Sequence, residues 1–351
     1  MHIRDALPED NDELQRLQAQ CPQGTSLVVS TVNIPDFFAR TKPYESYKVS
    51  VACEDDHIVG SMACAVREGI VNGHISRIGY EFQAFTSPSH RRMGIAAHLH
   101  QHIETYLKQQ NTVLSYCLLM EGNYPSIKLF EKQGFKPYRE LIMPALLVYR
   151  EMREQSSGNI RSATPDDLRA VAELLNTTWK GYELYQPTSA DALLQSIERT
   201  PEYDLENILV LEDRNGIAAC TGFWDWSKIT KITVHSLSSK MKLIKLMLDF
   251  TRLFRKMPQP PKPGEILKQF VLTPIAFKNP EDLSVLLRHV NNIALKKGIE
   301  QIFYVCEKDH TMLKSMKGLT HIDTAMYLYI KPLQRNISLS DNMVFIDGID
   351  L

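Results

Sequence analysis

Long apolar runs are missing from this sequence, and no stretch reaches the roughly 18 residues that a membrane-spanning helix needs. The first residues, MHIRDALPED, are polar and lack the apolar core of a signal peptide. A charge excess is also missing, because 40 Lys and Arg residues balance 41 Asp and Glu residues. That balance argues against nucleic acid or an acidic membrane as a general partner. We therefore expect a cytoplasmic protein with no membrane span and no nucleic-acid partner.

Paired cysteines are absent as well. The six cysteines are scattered and no CxxC pair occurs, which argues against a zinc site or a redox pair. His98 and His102 have the i, i+4 spacing of metal ligands, but no carboxylate or cysteine nearby completes a set. We expect buried free thiols in a reducing compartment and no metal site.

An internal repeat is present. IRDALPED at residues 3–10 returns as IRSATPDD at residues 160–167, and each copy leads from a short strand through a proline turn to an amphipathic helix. The segments 49–66 and 208–226 are both predicted hairpins. EMREQSSGN (151–159) is a polar linker between the copies. The chain of 351 residues is therefore predicted to form two tandem domains of similar plan.

Apolar periodicity in the first half predicts a mixed α/β sheet. The chain divides into a predicted catalytic domain (1–153), a second domain (159–333) and a tail (334–351) that is either loosely held or adds one strand. A variable segment with several turn residues occupies 22–46. The predicted strands are 2–6, 47–54, 57–68, 74–86, 112–120 and 137–149, and the predicted helices are 10–20, 94–109 and 123–133.

The stretch that suggests chemistry is YEFQAFTSPSHRRMGIAAHLHQHIETYL, which starts at Tyr80. A strand breaks at Ser87-Pro88, and the turn RRMGIA (91–96) opens directly into a helix. Small residues at positions 94 and 96 let the backbone approach a ligand closely. The first amides of a helix have no partner inside it and lie at the positive end of the helix dipole. The turn therefore predicts a pyrophosphate site, to which Arg91 and Arg92 add positive charge.

The strand, the R-x-x-G-x-A turn and the helix together resemble the signature of the GCN5-related N-acetyltransferase (GNAT) superfamily. NYPSIKLFEKQGF (123–135) resembles the second family motif, N-x-x-A-x-x-x-Y-x-K-x-G-F, at the family's spacing. SPSHRRMGIAAHLHQHIETYL, SYCLLMEGNYPSIKLFEKQGF and LIMPALLVY are also similar to the HOOKLESS-type proteins of plants and their bacterial relatives. This resemblance covers most of the chain. It implies an α/β fold of two tandem GNAT-like domains, each a mixed, mostly antiparallel sheet flanked by helices.

The resemblance implies acetyl-CoA as co-substrate and a role for each matching position. The pantetheine arm would pair with the backbone of residues 84–86 in the gap between two strands. Asn123 would bond the amides of the arm, although its position also suits a plain helix N-cap. The positions assigned to the cofactor are Ala84, Phe85, Thr86, Arg91, Arg92, Met93, Gly94, Ile95, Ala96, Asn123, Ser126 and Phe130.

The catalytic positions leave alternatives open. Phe130 stands where the family often has a tyrosine that protonates the leaving thiolate, so water, Tyr124 or Tyr138 would do so, or the thiolate would leave unaided. Glu81 is the predicted base, acting directly or through water. Strand alternation predicts one face with Glu81, Gln83 and Phe85 and another with Tyr80, Phe82 and Ala84, and a bulge would disturb this parity.

The second half keeps the plan without the chemistry. A predicted strand ends at Thr273-Pro274, and the following helix opens with Asn279-Pro280-Glu281-Asp282 in place of the glycine turn. Acidic residues at that point repel a pyrophosphate, and the asparagine motif is missing. We expect a degenerate GNAT-like domain that covers one face of the first domain and shapes the acceptor cleft.

Residues 228–256 are rich in Lys and Arg, with Asp249 as the single acid, and 239–256 follow a helical period. Such a helix suits an anionic membrane or nucleic acid. It also suits packing on its own sheet with a solvated basic face, which is the arrangement we expect.

The sequence thus predicts an N-acetyltransferase that moves an acetyl group from acetyl-CoA to a primary amine by direct attack. The acceptor is expected to be an amine-bearing small molecule or a peptide. The alternative is an acyl-CoA-binding regulator or scaffold, in which Phe130 marks lost chemistry. A monomer is compatible with this plan, because the tandem repeat acts as a pseudo-dimer.

Overall fold

The computed structural model describes residues 1–154, 158–252, 254 and 256–351, without the side chain of Ile244. Three residues of the predicted linker (155–157) and two of the predicted basic helix (Leu253 and Arg255) lie outside the described residues. No helix in these ranges is both long enough and apolar enough to cross a membrane. The six cysteines are buried and free, as predicted.

The strands and helices of the first half match the prediction to within three residues at each end. One strand, in the variable segment, was not predicted. The strands are β1 (His2–Asp5), β2 (Leu27–Asn33), β3 (Ser46–Glu54), β4 (His57–Val71), β5 (His74–Thr86), β6 (Leu114–Met120), β7 (Lys136–Leu147), β8 (Asn159–Ser162), β9 (Ile208–Asp213), β10 (Gly216–Asp225), β11 (Thr230–Leu237), β12 (Ile266–Leu267), β13 (Gln269–Phe277), β14 (Gln301–Phe303), β15 (Cys306–Glu307) and β16 (His321–Pro332). The α-helices are α1 (Asn11–Ala19), α2 (Ile95–Gln109), α3 (Tyr124–Lys132), α4 (Leu168–Thr178), α5 (Ala190–Arg199), α6 (Ser239–Thr251) and α7 (Pro280–Lys297).

The repeated sequence at the start of each half has the same local structure. Arg4 Nη1 lies 2.6 Å from Asp10 Oδ2, and Arg161 Nη1 lies 2.6 Å from Asp167 Oδ2. Each aspartate also accepts the backbone N–H three residues earlier, from Leu7 and Thr164. These bonds fix the turn between the first strand and the first helix of each half, which explains why Arg and Asp recur in register.

The two halves share one continuous sheet, whose strand order is β1-β3-β4-β5-β6-β16-β7-β14-β13-β10-β9-β8. β16, the last strand of the second half, lies between β6 and β7 and pairs antiparallel with both. β7, the last strand of the first half, pairs in turn with β14 and β15. Each half therefore receives its final strand from the other, so neither half-sheet is complete alone. The division at 153/159 stays a prediction about sequence, and it does not separate two independent sheets.

The strand predicted to end at Thr273-Pro274 is longer than expected, because β13 continues through the proline to Phe277. The helix after it begins at Pro280 with Asn279 as N-cap, as predicted. The predicted hairpin 208–226 is present as β9 and β10.

The tail is not loosely held, and it adds no strand to the large sheet. Val344, Ile346 and Gly348 are buried, and the Asp350 side chain has no exposure. The tail bonds to both halves, since Ser340 Oγ donates to Glu183 and Val344 N–H donates to Glu307. It is therefore a fixed part of the junction between them.

A second, three-stranded sheet joins the halves, in the order β12-β11-β2. β2 comes from the variable segment of the first half, and β11 comes from the second half. α6 follows β11 directly. The expectation that α6 packs on the protein with a solvated basic face is met only in part. Met241 and Leu248 are half-buried, but Leu243, Leu246, Met247, Phe250 and the following Phe254 are exposed.

Candidate active site

A gap opens between two neighbouring strands at the centre of the first half. Within the described chain, β5 and β6 pair in parallel only from Ile78–Leu114 to Tyr80–Tyr116. Both strands continue past this point, β5 to Thr86 and β6 to Met120. The two strands therefore leave a row of backbone groups unpaired on the side of β5 that faces away from β4. This splay is the feature that the family resemblance implied.

A bulge in β5 accompanies the splay. Gln83 has a φ of 52°, in the left-handed region, and the register with β4 shifts between Ser61 and Ala63. Phe82 and Phe85 consequently belong to the same apolar cluster as Tyr80, while Ala84 packs against the cluster beneath α2. The faces predicted for Ala84 and Phe85 are wrong, because the extra residue of the bulge exchanges the faces on which the following side chains lie.

The backbone of Thr86 is directed into the gap. Ser87 N–H donates to Val59 O of β4 at 2.9 Å. Successive N–H groups of a strand alternate in direction, so the N–H and C=O of Thr86 point away from β4 and those of Phe85 point toward it. Of the two residues, Thr86 is the one whose backbone faces the gap, where its carbonyl accepts the Cys21 thiol at 3.3 Å.

The turn after β5 is left-handed at two of its residues. Arg92 and Gly94 have φ angles of 66° and 82°. An added Cβ at Gly94 would meet only the His98 side chain, at 3.7 Å, so the glycine is required by its backbone angle and not by crowding. Ala97 N–H and His98 N–H both donate to Gly94 O. The amides of Ile95 and Ala96 precede them at the helix N-terminus, next to exposed Arg91 and Arg92.

Gln83, at the bulge of β5 beside the gap, carries an uncompensated polar group. The side chain is 8% exposed, and its Nε2 and Oε1 are both buried without a hydrogen-bond partner among the described residues. A buried amide without partners costs about 1–3 kcal/mol. A molecule with its own amides, bound in the gap, would supply the missing donor and acceptor. No motif in the sequence marked Gln83 as a site residue.

Asn123 caps α3, the helix that follows β6. Its Oδ1 accepts the Ser126 N–H at 3.4 Å, so the N-cap reading of Asn123 is confirmed and Ser126 bonds through its backbone. Before it, an added Cβ on Gly122 would lie 3.4 Å from Thr25 Oγ1. Cys21 Sγ donates to Thr86 O at 3.3 Å. Residues 21–26 therefore run from the end of β5 to the start of α3, across the opening of the gap.

Phe130 is buried in an apolar cluster with Phe135, Cys117 and Leu119. Its ring contacts Phe135 edge-on, with centroids 5.1 Å apart. Tyr329 of β16 belongs to the same cluster, and its hydroxyl donates to Glu131 Oε1 at 3.3 Å. Burial raises the pKa of Tyr329 above its usual value. This hydroxyl comes from the second half of the chain, so the motif around Phe130 did not indicate it.

The other two hydroxyls considered for the leaving thiolate have different surroundings. Tyr124 opens α3 and is 65% exposed. Tyr138 donates its hydroxyl to the carbonyl of Ser340 in the tail, and burial raises its pKa. Of these two, Tyr124 is the one whose hydroxyl is free in the described structure.

Glu81 is buried on the side of the sheet that faces α2. Its carboxylate accepts the Ser115 hydroxyl at 2.7 Å and lies 2.8 Å from His100 Nδ1. His100 Nε2 continues the chain to Lys331 Nζ of β16, 3.1 Å away. This position does not support the predicted role of Glu81 as base, because α2 covers this face of the sheet and the carboxylate bonds to His100 of that helix.

The opposite face of β5 and β6 carries a group of aromatic side chains. The Tyr80 ring stacks on Phe82 and on Tyr116, with centroids 4.9 and 5.0 Å apart. Tyr44 contacts both Tyr80 and Phe82. Burial raises the pKa of Tyr80 to about 12 and raises that of Tyr44 and Tyr116 well above 10. These hydroxyls therefore stay protonated and act as donors.

Asp350 of the tail accepts hydrogen bonds from these tyrosine hydroxyls. Its Oδ1 lies 2.9 Å from the Tyr44 hydroxyl, and its Oδ2 lies 2.8 Å from Tyr116 and 3.3 Å from Arg67 Nη2. Tyr80 donates to the Asp350 carbonyl. Because Tyr80 and Tyr116 are the last paired residues before the splay, Asp350 is a carboxylate held at the mouth of the gap. Sequence spacing gave no signal for this contact.

Comparison with known proteins agrees with this geometry. Residues 11–135 match the model of the acetyltransferase (GNAT) family. A GCN5-related N-acetyltransferase from Sphaerobacter thermophilus has a TM-score of 0.57 at 13% identity, over 96% of this chain and 97% of its own. An N-myristoyltransferase from Saccharomyces cerevisiae with bound myristoyl-CoA has a TM-score of 0.66 at 10% identity, over 98% and 89%. The predicted GNAT-like α/β fold is thereby confirmed.

No curated protein matches this sequence. The closer resemblance to the HOOKLESS-type proteins therefore stays a prediction. At the identities above, the solved structures establish the fold alone, and the choice of acyl group and acceptor rests on the site itself.

Proposed function

We propose that this chain, whose residues 11–135 match the model of the acetyltransferase (GNAT) family, moves an acetyl group from acetyl-CoA to the primary amine of a small molecule or peptide. The observation that supports this most directly is the gap between β5 and β6, which ends at the left-handed turn of Gly94. The gap suits the extended pantetheine arm of CoA, and the turn suits its pyrophosphate.

Each part of the cofactor would meet a group suited to it. The pyrophosphate would accept the amides of Ile95 and Ala96, with Arg91 and Arg92 beside it as exposed cations. The amides of the pantetheine arm would pair with the Thr86 backbone and with the uncompensated side chain of Gln83. These residues suit an acyl-CoA by charge and by hydrogen bonding.

The acceptor would enter from the face that carries Tyr80 and Tyr116. Its neutral amine would attack the thioester carbon, a C–N bond would form, and the C–S bond would break to release CoA. The Thr86 N–H would polarise the carbonyl oxygen. The carboxylate of Asp350, with its tyrosine donors, would take the proton from the amine directly or through water, in place of Glu81. The thiolate would take a proton from water, Tyr124 or Tyr329.

A second candidate function is binding of acyl-CoA without turnover, as in a regulator or scaffold. Phe130 supports this alternative, because it provides no hydroxyl at the usual position. The buried tail also supports it, since Asp350 and its neighbours fill the aromatic face. In that case the cofactor site would be kept and the acceptor site closed.

The direct test is release of CoA thiol from acetyl-CoA over a panel of primary amines, together with acetyl-CoA binding by calorimetry. Turnover with at least one amine supports the transferase. Tight binding with no turnover on any amine or peptide would replace it with the second candidate. No binding at all would contradict both.

Gly94→Glu is the matched variant for this test. It places a carboxylate and a side chain at the turn, and we expect a loss of acetyl-CoA affinity of about 100-fold or more from charge repulsion and strain. Gly298→Glu is the control, because Gly298 has a similar φ of 69° and open space at the far end of α7. Equal losses in both variants would show that backbone strain, and not the site, is responsible.

A further inference from the structure

α6 presents its apolar side chains to solvent. Leu243, Leu246, Met247 and Phe250 are between 59% and 67% exposed, and Phe254 just after the helix is 74% exposed. Their spacing of three and four residues places them on one side of the helix. Phe250 and Phe254 contact edge to face, with centroids 5.7 Å apart. We call this row of five side chains the α6 ridge.

The opposite side of α6 faces the protein only partly. Met241 and Leu248 are half-buried there, and Lys245 is half-buried beside them. The α6 ridge is the larger apolar row and is exposed, whereas the smaller row of Met241 and Leu248 is partly covered. This is the reverse of the usual burial of apolar surface. A contiguous exposed apolar row of this kind marks a surface that another body covers.

Positive charge lies along both edges of the ridge. At 100° per residue, Lys240 and Lys242 fall on opposite sides of it. Asp249 is paired with Lys245 and Arg252, at 2.5 and 3.6 Å. In the described part of the chain Lys240, Lys242 and Lys256 have no acidic partner, so the ridge is framed by uncompensated cations.

These charges select the partner. A second copy of the chain would bring the same cations against this face and would be repelled. Nucleic acid would pair with the lysines but leave the leucine and phenylalanine side chains in water, because its contacts are mostly to phosphate. An anionic lipid surface suits both the apolar ridge and the lysines. The ridge would lie at the boundary between headgroups and acyl chains, and the lysines would lie at the headgroups.

The helix is also tied to the opening of the gap. The N-cap residue of α6, Ser238, donates its backbone N–H to Ser26 O at 2.9 Å. Ser26 is the end of the segment 21–26 that crosses the gap opening between Thr86 and Gly122. A surface that holds α6 therefore lies close to the entrance of the candidate active site.

We propose that the α6 ridge docks on an anionic lipid surface, with Leu246 and Phe250 inserted and Lys240 and Lys242 at the headgroups. Docking would place the opening of the β5/β6 gap beside that surface. The proposal concerns binding alone, so it stands or falls independently of acetyl transfer.

The test is co-sedimentation of the full-length protein with vesicles of phosphatidylcholine alone and of phosphatidylcholine with about 30% phosphatidylserine. We expect binding to the mixed vesicles at low salt, weaker binding as salt rises, and little binding to phosphatidylcholine alone. The double variant Leu246→Ser/Phe250→Ser should bind at least about tenfold more weakly, since each removed side chain takes away more than one CH₂ group of buried surface.

Ile75→Ser is the matched control, because Ile75 is 60% exposed and lies at the hairpin between β4 and β5, outside the ridge. It should bind like the unchanged protein. Lys240→Glu/Lys242→Glu should lose the preference for phosphatidylserine. Absence of binding to the mixed vesicles would overturn the proposal. So would a dimer in light scattering that the double variant abolishes, which would make a second copy the occupant.

Discussion

The Nδ1 atom of His100 lies 2.8 Å from Oε2 of Glu81, and both side chains are buried between β5 and α2. The glutamate thus holds a helix on the sheet, while the aromatic side chains of β5 and β6 lie on the opposite face. Because Glu81 is engaged with His100, we propose Asp350 of the tail as the base in its place, since its carboxylate lies at the mouth of the gap.

Glu81→Gln should reduce stability more than activity. The change replaces a buried carboxyl oxygen that bonds to His100 or Ser115, and we expect the free energy of unfolding to fall by about 1–3 kcal/mol. Turnover with the best amine should stay close to that of the unchanged protein. Urea unfolding and initial rates measure the two effects. Glu198→Gln, at an exposed position of α5, is the control. A variant that is fully stable and inactive would restore Glu81 as the base.

Gln83→Met should make the protein more stable and bind acetyl-CoA more weakly. Methionine has a similar volume and no polar amide. Because the substitution removes a buried amide that lacks partners, we expect the free energy of unfolding to rise by about 1 kcal/mol. Loss of a hydrogen bond to the pantetheine arm should raise the Kd about tenfold. Calorimetry and urea unfolding check both. Ser50→Ala removes another buried hydroxyl without a partner on β3 and should leave the Kd unchanged. An unchanged Kd for Gln83→Met would remove Gln83 from the site.

Asp350→Asn should impair the acceptor reaction and spare cofactor binding. If the carboxylate takes the proton of the amine, kcat/KM for the acceptor should fall about 100-fold or more. The Kd for acetyl-CoA should not change, because Asp350 lies on the face of the aromatic side chains. Asp341→Asn, at an exposed position of the tail, is the control. Full activity in Asp350→Asn would limit the residue to anchoring the tail.

Stability should depend on pH through His310. Burial lowers the pKa of His310 from 6.5 to about 4. As pH falls, His310 is therefore protonated in the unfolded chain before it is protonated in the folded chain. Its contribution to the free energy of unfolding is complete above pH about 6.5 and is lost as pH falls toward about 4. The loss should reach about 3 kcal/mol. His310→Asn keeps an acceptor for the Met312 N–H, which His310 Nδ1 now accepts. The variant should flatten this part of the stability curve; an unchanged slope would exclude His310 as its source.

The sequence by itself determined the secondary-structure elements and the place of the turn before α2, because these depend on local patterns. The turn between β5 and α2 was predicted from Ser87-Pro88 and the small residues at 94 and 96, and the Arg4–Asp10 turn returned as Arg161–Asp167 because the residues that make it recur. The ends of the first-half strands and helices followed from apolar periodicity for the same reason.

The tertiary structure alone decided which side chains meet. A single bulge at Gln83 reversed the faces of Ala84 and Phe85, since one extra residue shifts a period of two. The exchange of β7 and β16 brought Tyr329 beside Phe130, and the folded tail brought Asp350 to Tyr116, 234 residues away. Such contacts depend on strand order and chain path, which no local pattern encodes. The turn that would hold the cofactor was therefore readable from the chain, and the groups around the acceptor were not.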